Sequence, residues 1–249
     1  MKKVWLCVWV VLLWQLPFLK AQVPALEAQI DSLSQLISEN PTDSLAFERR
    51  LALAELYFCC SFRDPNNPRA RQQELDAALR EVEKAHQQRK TATSRALECA
   101  VRLERTQFQP RSEALLTLDM CQKELADILR TDPLNPLALT VYGALGVELG
   151  KVPPIKRLFA RWFYMPLPEE PSVNTAILYL LEARLLGKYQ VFVNLKLGEA
   201  YMQVRNAREV VESLKACLAA PEVYPYFDAH SKALAQKMLD EYLAARKAR

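Results

Sequence analysis

Glycine is scarce in this sequence, where only 5 of the 249 residues are glycine and none belongs to a phosphate-binding loop motif. Nucleotide-binding folds need closely spaced glycines, because the backbone must approach a phosphate group. The sequence therefore gives no sign of a nucleotide site. Most of the turns must use the 15 prolines together with Asn and Asp, which is common between helices.

Histidine is rarer still, and no HExxH, paired CxxC or GxSxG motif is present. The charged neighbours of His86 predict a solvated helix end. Asp228 and His230 could share a ligand, but helix capping by Asp228 is the simpler interpretation. Glu169 and Glu170 lie in a Pro-rich loop, where solvated charge is the default interpretation. We therefore expect a protein that is not an enzyme, with no metal and no cofactor.

An excess of basic residues is also missing once the N-terminal segment is set apart. The formal net charge is +4, but Lys2, Lys3 and Lys20 lie in a segment without acidic residues. The other 30 Lys and Arg residues are balanced by 29 Asp and Glu residues. Binding of nucleic acid requires clustered basic residues that neutralise phosphates, so we expect no nucleic-acid partner.

The N-terminus has the pattern of a secretory signal peptide. Lys2 and Lys3 precede the apolar run VWLCVWVVLLWQLPFL, and cleavage is expected after Ala21. The run is shorter than the roughly 20 apolar residues that span a bilayer comfortably. We expect residues 1–21 to be removed and the protein to reach the bacterial periplasm. The alternative is that an uncleaved leader anchors the chain in the inner membrane, which is the only membrane contact we expect.

Five cysteines follow this leader, and their odd number in an exported protein leaves at least one unpaired. None has the spacing of a metal site, and each lies in an apolar helical context. Buried free side chains are the favoured interpretation, with a disulfide through Cys59 or Cys60 as the alternative. The five are Cys59, Cys60, Cys99, Cys121 and Cys217.

The remaining sequence consists of amphipathic helices separated by polar turns. The clearest pair spans 192–221, where Gly198 between large residues predicts the close approach of a partner helix. The second helix of that pair carries an apolar stripe at helical spacing, made of Val210, Val211, Leu214, Cys217 and Leu218. One such pair cannot bury both of its faces, so stacked neighbours are expected.

Apolar periodicity predicts further helices but no strand. They lie at about 25–38, 44–62, 69–89, 93–108 and 113–131. An inserted segment at 165–189 adds a Pro-rich loop and another apolar helix. The terminal helix is expected to carry an inward face made of Ala233, Leu234, Met238 and Leu243.

Two motifs carry a resemblance to known repeat families. Leu197-Gly198-x-x-Tyr201, with Pro221 closing the second helix, resembles a tetratricopeptide repeat. Together with Asp132-Pro133-x-Asn135-Pro136, it is also similar to regulator of microtubule dynamics proteins and the T component of bacterial TRAP transporters. The resemblance implies an all-α, TPR-like α-solenoid of stacked antiparallel helix pairs with an extra inserted helix. Degenerate pairs would occupy 22–131, and clearer repeats with a capping helix would occupy 132–249.

In such a solenoid the first helices of the repeats line a concave surface that can hold a peptide or a helix. By resemblance, its positions are Thr140, Ala144, Val147, Glu148, Leu195, Glu199, Met202 and Gln203. Segment 153–168 has the spacing of a core-facing helix. The alternative is a basic aromatic surface for a partner or a membrane, formed by Lys156, Arg157, Arg161, Trp162 and Tyr164.

The function predicted from these patterns is binding without catalysis. We expect an exported protein that binds a protein or peptide partner in the bacterial envelope. The alternative is an accessory carrier of an apolar small molecule for a transport system, and the third hypothesis is an envelope hydrolase. The sequence does not determine the oligomeric state.

Overall fold

The computed structural model describes residues 26–40, 45–151 and 172–247. Within these ranges the chain is helical with connecting turns and contains no strand, so the all-α prediction is confirmed. The helices are α1 (26–39), α2 (Ala46–Cys60), α3 (Pro68–Gln88), α4 (Ala92–Arg105), α5 (Arg111–Thr131), α6 (Pro136–Gly150), α7 (Val173–Leu185), α8 (Gln190–Gln203), α9 (Ala207–Ala219) and α10 (Phe227–Lys247), and a short 3-10 helix (Thr106–Phe108) follows α4.

Consecutive helices pack as adjacent pairs, namely α2 with α3, α4 with α5, α6 with α7 and α8 with α9. Neighbouring pairs also touch, because α3 contacts α4, α4 contacts α6, and α7 contacts α8. The terminal helix α10 packs on both α8 and α9. The described chain is therefore a solenoid-like stack of helix pairs.

Glycine allows close approach of the helices within two of these pairs. A Cβ atom on Gly198 of α8 would lie 2.6 Å from the Cδ2 atom of Leu214 in α9. A Cβ atom on Gly143 of α6 would lie 2.7 Å from the Cγ atom of Leu180 in α7. Larger side chains at either position would push the helices apart. The predicted close approach at Gly198 is confirmed.

The turn between α5 and α6 is held by the side chain of Asn135. Its Oδ1 atom accepts a hydrogen bond of 3.0 Å from the backbone nitrogen of Ala138 and so caps α6. Its Nδ2 atom donates to Asp132 Oδ2 at 3.0 Å and to Thr93 Oγ1 at 3.2 Å. Pro136 occupies the start of the helix, where its missing N–H group costs no helical bond. This motif therefore ties α6 to both helices of the preceding pair.

The buried face of α10 differs from the prediction. Ala235 and Leu239 are buried and Met238 is half-buried, whereas three residues predicted to point inward are exposed, namely Ala233, Leu234 and Leu243. Phe227, at the start of α10, fixes the rotation of the helix because its ring packs against the rings of Phe58, Phe62 and Phe192. The prediction used the local pattern alone and missed these distant contacts.

All five cysteines of the described chain are buried and free, which confirms the favoured interpretation of their role. Burial raises the pKa of the Cys60 thiol and that of the Cys217 thiol to about 12 each. Such thiols are protonated at neutral pH and are weak nucleophiles. They act as small apolar side chains of the core.

Several sequence predictions fall outside the described residues. These are the leader at 1–21, the carboxylates of Glu169 and Glu170, and the basic aromatic segment with Lys156, Arg157, Arg161, Trp162 and Tyr164. Among the described helices, none combines the length and the apolar character that crossing a membrane requires.

Candidate binding cavity

A cavity of about 510 Å³ lies where several helices of the stack converge. Most of its lining comes from α2, α4, α6 and α8, which are the first helices of the four pairs, and from α10. Its wall is mainly apolar and includes four phenylalanine rings, those of Phe58, Phe62, Phe192 and Phe227. Concave apolar sites of several hundred cubic ångströms are typical of ligand binding.

The aromatic rings close the cavity by joining the first described helix pair to α10. The centroid of the Phe227 ring lies 4.9 Å from that of Phe62 and 5.6 Å from that of Phe58. It also lies 4.9 Å from the centroid of the Phe192 ring. Tilted and edge-on pairs at these separations are favourable aromatic contacts. The first described pair and the terminal helix therefore meet in one aromatic cluster.

A half-buried polar group lies on this wall at Glu55. The hydroxyl of Tyr189 donates a hydrogen bond of 3.1 Å to the Glu55 Oε1 atom. The Tyr189 ring in turn stacks on Tyr224, with centroids 5.0 Å apart and planes inclined by 19°. Burial raises the pKa of Glu55, while the Tyr189 hydrogen bond and the charge of Lys188 partly oppose this effect. The Glu55 carboxylate thus lies in surroundings that disfavour its charge.

Arg71 forms a second polar region of the cavity, together with its acidic and aromatic neighbours. Its guanidinium donates to Glu104 Oε1 at 2.5 Å and to Gln107 Oε1 at 3.0 Å. It also lies 5.6 Å from the centroid of the Phe62 ring, within the range of a cation–π contact. Burial, together with the charge of Arg71, lowers the pKa of His230. The imidazole is therefore neutral at pH 7.

A third polar region contains two carboxylates and two ammonium groups. The Lys196 ammonium lies 2.6 Å from Glu148 and 3.2 Å from Glu199, and Lys151 lies 2.8 Å from Glu148 and 2.6 Å from Glu199. Burial raises the pKa of Glu148, but the two ammonium groups outweigh that effect and lower it to about 2. This four-residue ion network joins α6 to α8 and carries no net charge.

The structure divides the predicted groove residues into two sets. Four line the cavity, namely Thr140, Ala144, Glu148 and Leu195. The other four do not line it, namely Val147, Glu199, Met202 and Gln203. In the second set the Gln203 amide donates to the carbonyl oxygen of Val147 at 3.0 Å and so holds α8 against α6.

The predicted groove did not include the residues that α2, the turn after it, α4 and α10 contribute to the cavity, although Leu234 was predicted to face inward and His230 was considered as a ligand group. Glu55 is the only charged residue in the run LALAELYFCC, and a single acid within an apolar helix face was the available signal. For Phe227 no local signal existed, because its ring partners lie in distant parts of the chain.

Two predicted roles outside the cavity are wrong. The His86 side chain is only 9% exposed, and its ring nitrogens lie 3.0 Å from Ser94 Oγ and 3.3 Å from a Glu98 carboxylate oxygen. It is therefore packed between α3 and α4 and is not a solvated helix end. Asp228 accepts hydrogen bonds of 2.8 Å from the backbone nitrogens of Val223 and Tyr224, so it holds the turn before α10. Within the described ranges no cluster of His, Cys, Asp and Glu could hold a metal ion.

The fold and the cavity define a class of protein, an all-α, solenoid-like stack of helix pairs around an internal apolar site. The family model described as regulator of microtubule dynamics protein 1-3 matches residues 20–243. This chain belongs to that family, since the match covers most of its length. No curated protein matches the chain.

Proposed function

We propose that this chain is a non-catalytic helical-repeat protein that binds a segment of another protein in its cavity. The observation that carries the proposal is the convergence of five helices on an apolar cavity of about 510 Å³. Apolar side chains of a partner would lose contact with water there, which contributes about 25 cal/mol for each Å² buried. The proteins that give the family its description regulate microtubule dynamics, which supports a protein as the class of partner.

We also propose that the helix pairs are degenerate tetratricopeptide repeats. Support comes from Gly198, which allows Leu214 of the second helix to pack closely, and from the capping motif at Asn135. A repeat of this kind places its first helix on the concave side, and here the first helices line the cavity.

A binding role is also supported by the state of the polar groups around the cavity. Arg71 is paired with Glu104, and Glu148 belongs to the ion network with Lys196. Ion pairs of this kind hold helices in place, whereas nucleophilic catalysis needs an activated nucleophile next to a base. The conclusion is that the cavity wall serves recognition.

Export to the bacterial periplasm forms part of the proposal, and the charged and apolar pattern of residues 1–21 supports it. The mass of the mature N-terminus, measured on protein isolated from the producing cell, distinguishes cleavage after Ala21 from an uncleaved leader that anchors the chain.

The binding role is tested with a photo-crosslinking amino acid in place of Leu234, which lines the cavity and is 39% exposed. The matched control carries the same amino acid in place of Leu185 of α7, which is 85% exposed and does not line the cavity. The proposal predicts a covalent product with a discrete protein from Leu234 only. Adding Ala144→Phe, which fills the cavity, should abolish that product while circular dichroism stays unchanged. Equal products from both positions would contradict the proposal.

A second candidate is the binding of an apolar small molecule, which the cavity volume favours because sites for such ligands commonly measure 300–1,000 Å³. Its role would be that of an accessory carrier in transport. Native mass spectrometry of the gently purified chain distinguishes this candidate. A co-purified mass that disappears in Ala144→Phe supports it, and a bare chain in both samples contradicts it.

A further inference from the structure

We infer that the cavity selects a ligand group that carries a positive charge on an aliphatic chain, an alkylammonium group, with Glu55 as its counter-ion. The inference rests on the proposed binding function and adds the chemistry of the bound group. A lysine side chain within a partner segment has this chemistry, and so does a small alkylamine.

The charges on the described part of the cavity wall are not balanced. Three carboxylates and two cationic side chains contribute to the lining, together with a neutral imidazole. Arg71 is paired with Glu104, and Lys196 is paired with Glu148. Glu55 is left over, because none of the described Lys and Arg groups lies within 4.0 Å of its carboxylate. Among the residues that the structure describes, the wall therefore carries one more carboxylate than cationic side chain.

The Glu55 carboxylate has no cationic partner among the described residues, and this raises the free energy of its charged form. Its known partner among the described residues is the Tyr189 hydroxyl, a neutral donor at 3.1 Å. The charge of Lys188 also lowers the pKa of Glu55, but the Lys188 side chain is exposed and makes no contact with the carboxylate. Displacement of water by a neutral ligand would leave the carboxylate poorly compensated. A ligand cation would compensate it directly.

Aromatic and apolar side chains surround the Glu55 carboxylate. The Tyr189 hydroxyl reaches Glu55, and the Tyr189 ring stacks on that of Tyr224. The outer face of such a stack can attract an ammonium group. Phe58 lies three residues along α2 from Glu55 and therefore on the same helix face. Phe58, Phe192 and Phe227 form an apolar wall along which an aliphatic chain can lie. The carboxylate can thus meet the ammonium head of an alkylammonium group, and the phenylalanine wall can meet its aliphatic chain.

An anionic group does not fit the same cavity. Arg71 already donates to Glu104 and Gln107, and Lys196 already contacts two carboxylates, Glu148 and Glu199. A bound anion would have to compete with these carboxylates for the same two cationic groups. The carboxylates of Glu55 and of Asp228, in the first turn of α10, both act on Tyr224 and add to the repulsion of an anion there.

The experiment measures binding to the full chain by isothermal titration calorimetry with three probes of equal length, n-octylammonium, n-octanol and n-octanoate. We expect octylammonium to bind about tenfold more tightly than octanol, the size of effect expected for a charged hydrogen bond. Glu55→Gln should remove this preference and leave the affinity for octanol within about twofold of the wild type. Glu113→Gln, which removes an exposed carboxylate of α5, is the matched control and should retain the preference.

A second arm distinguishes the two sources of the ammonium group. The peptide acetyl-Leu-Leu-Lys-Leu-Leu-amide is compared with the same peptide carrying norleucine in place of lysine. A preference for the lysine peptide that Glu55→Gln abolishes assigns the site to a protein segment, and a preference seen only with octylammonium assigns it to a small amine.

Octanol that binds without any advantage for octylammonium, or tighter binding of octanoate, overturns the charge inference and leaves the proposed binding function standing. An advantage for octylammonium that persists in Glu55→Gln also overturns it. Failure of all probes and both peptides to bind contradicts the proposed function itself.

Discussion

At the scale of single residues, the carboxylate that we propose as a ligand counter-ion, that of Glu55, lowers the stability of the folded protein. Its carboxylate is half-buried next to Tyr189, and burial raises its pKa. The folded protein therefore holds this proton more tightly than the unfolded chain does. Stability falls as the pH rises through the pKa of the folded state, because ionisation then occurs in surroundings that disfavour charge.

Glu55→Gln is therefore expected to raise the melting temperature at pH 7, since the amide keeps an acceptor for Tyr189 without the charge. The difference from the wild type should shrink as the pH falls and should disappear below about pH 4, where the carboxyl is protonated in both states. Thermal unfolding by circular dichroism between about pH 3 and pH 8 measures this difference. Glu113→Gln, at an exposed position, should show no such dependence. A Glu55→Gln variant that is less stable at pH 7 would mean that the carboxylate is well compensated.

At the scale of helices, caps of the same chemical type differ in what they connect. The Asn135 side chain caps α6 and also bonds to Thr93 and Asp132. The Asn206 side chain caps α9 with a single bond of 3.4 Å to the backbone nitrogen of Glu209, and it is exposed. The first cap joins two helix pairs, and the second stabilises the start of one helix.

Asn135→Ala is expected to lower the free energy of unfolding by about 2 kcal/mol, because a cap and two side-chain hydrogen bonds are lost. The matched variant Asn206→Ala should cost about 0.5–1 kcal/mol. Urea denaturation followed by circular dichroism measures both values. Equal costs would show that the bonds to Thr93 and Asp132 add nothing to the cap.

Contacts within a helix pair could be predicted from the sequence, whereas the rotation of α10 could not. The contact of Gly198 with α9 and the burial of Val210, Leu214 and Cys217 were predictable, because helical spacing and residue size are local properties. The buried face of α10 was not predictable in this way. It is set by the ring contacts of Phe227 with side chains of the first described pair, which only the folded chain brings together.

At the scale of the whole molecule, the two ends of the described stack meet. Phe227 contacts the rings of Phe58 and Phe62, and Tyr189 bonds to Glu55 across 134 residues of sequence. This contact encloses the cavity. Without it, the first helices of the pairs would line only a shallow surface. Half of the predicted groove residues line the cavity, whereas its aromatic wall depends on this closure and had no sequence signal.

Phe227→Ala is expected to destabilise the protein by about 3–5 kcal/mol and to raise hydrogen exchange at the end of α2 as well as in α10. The control Leu239→Ala removes a buried side chain that packs with residues of α8 and α9, and it should raise exchange in α10 without affecting α2. Hydrogen exchange followed by mass spectrometry resolves these segments. Increased exchange confined to α10 in both variants would show that the ends fold independently.

The ring contacts of Phe227 also have a consequence for biosynthesis. A ribosome releases the chain from its N-terminus, so α2 emerges long before α10. The aromatic enclosure is complete only after α10 has emerged from the ribosome. Until α10 has docked, the cavity lacks the Phe227 side of its wall, so its enclosed form is available to an occupant only after α10 has packed on the stack.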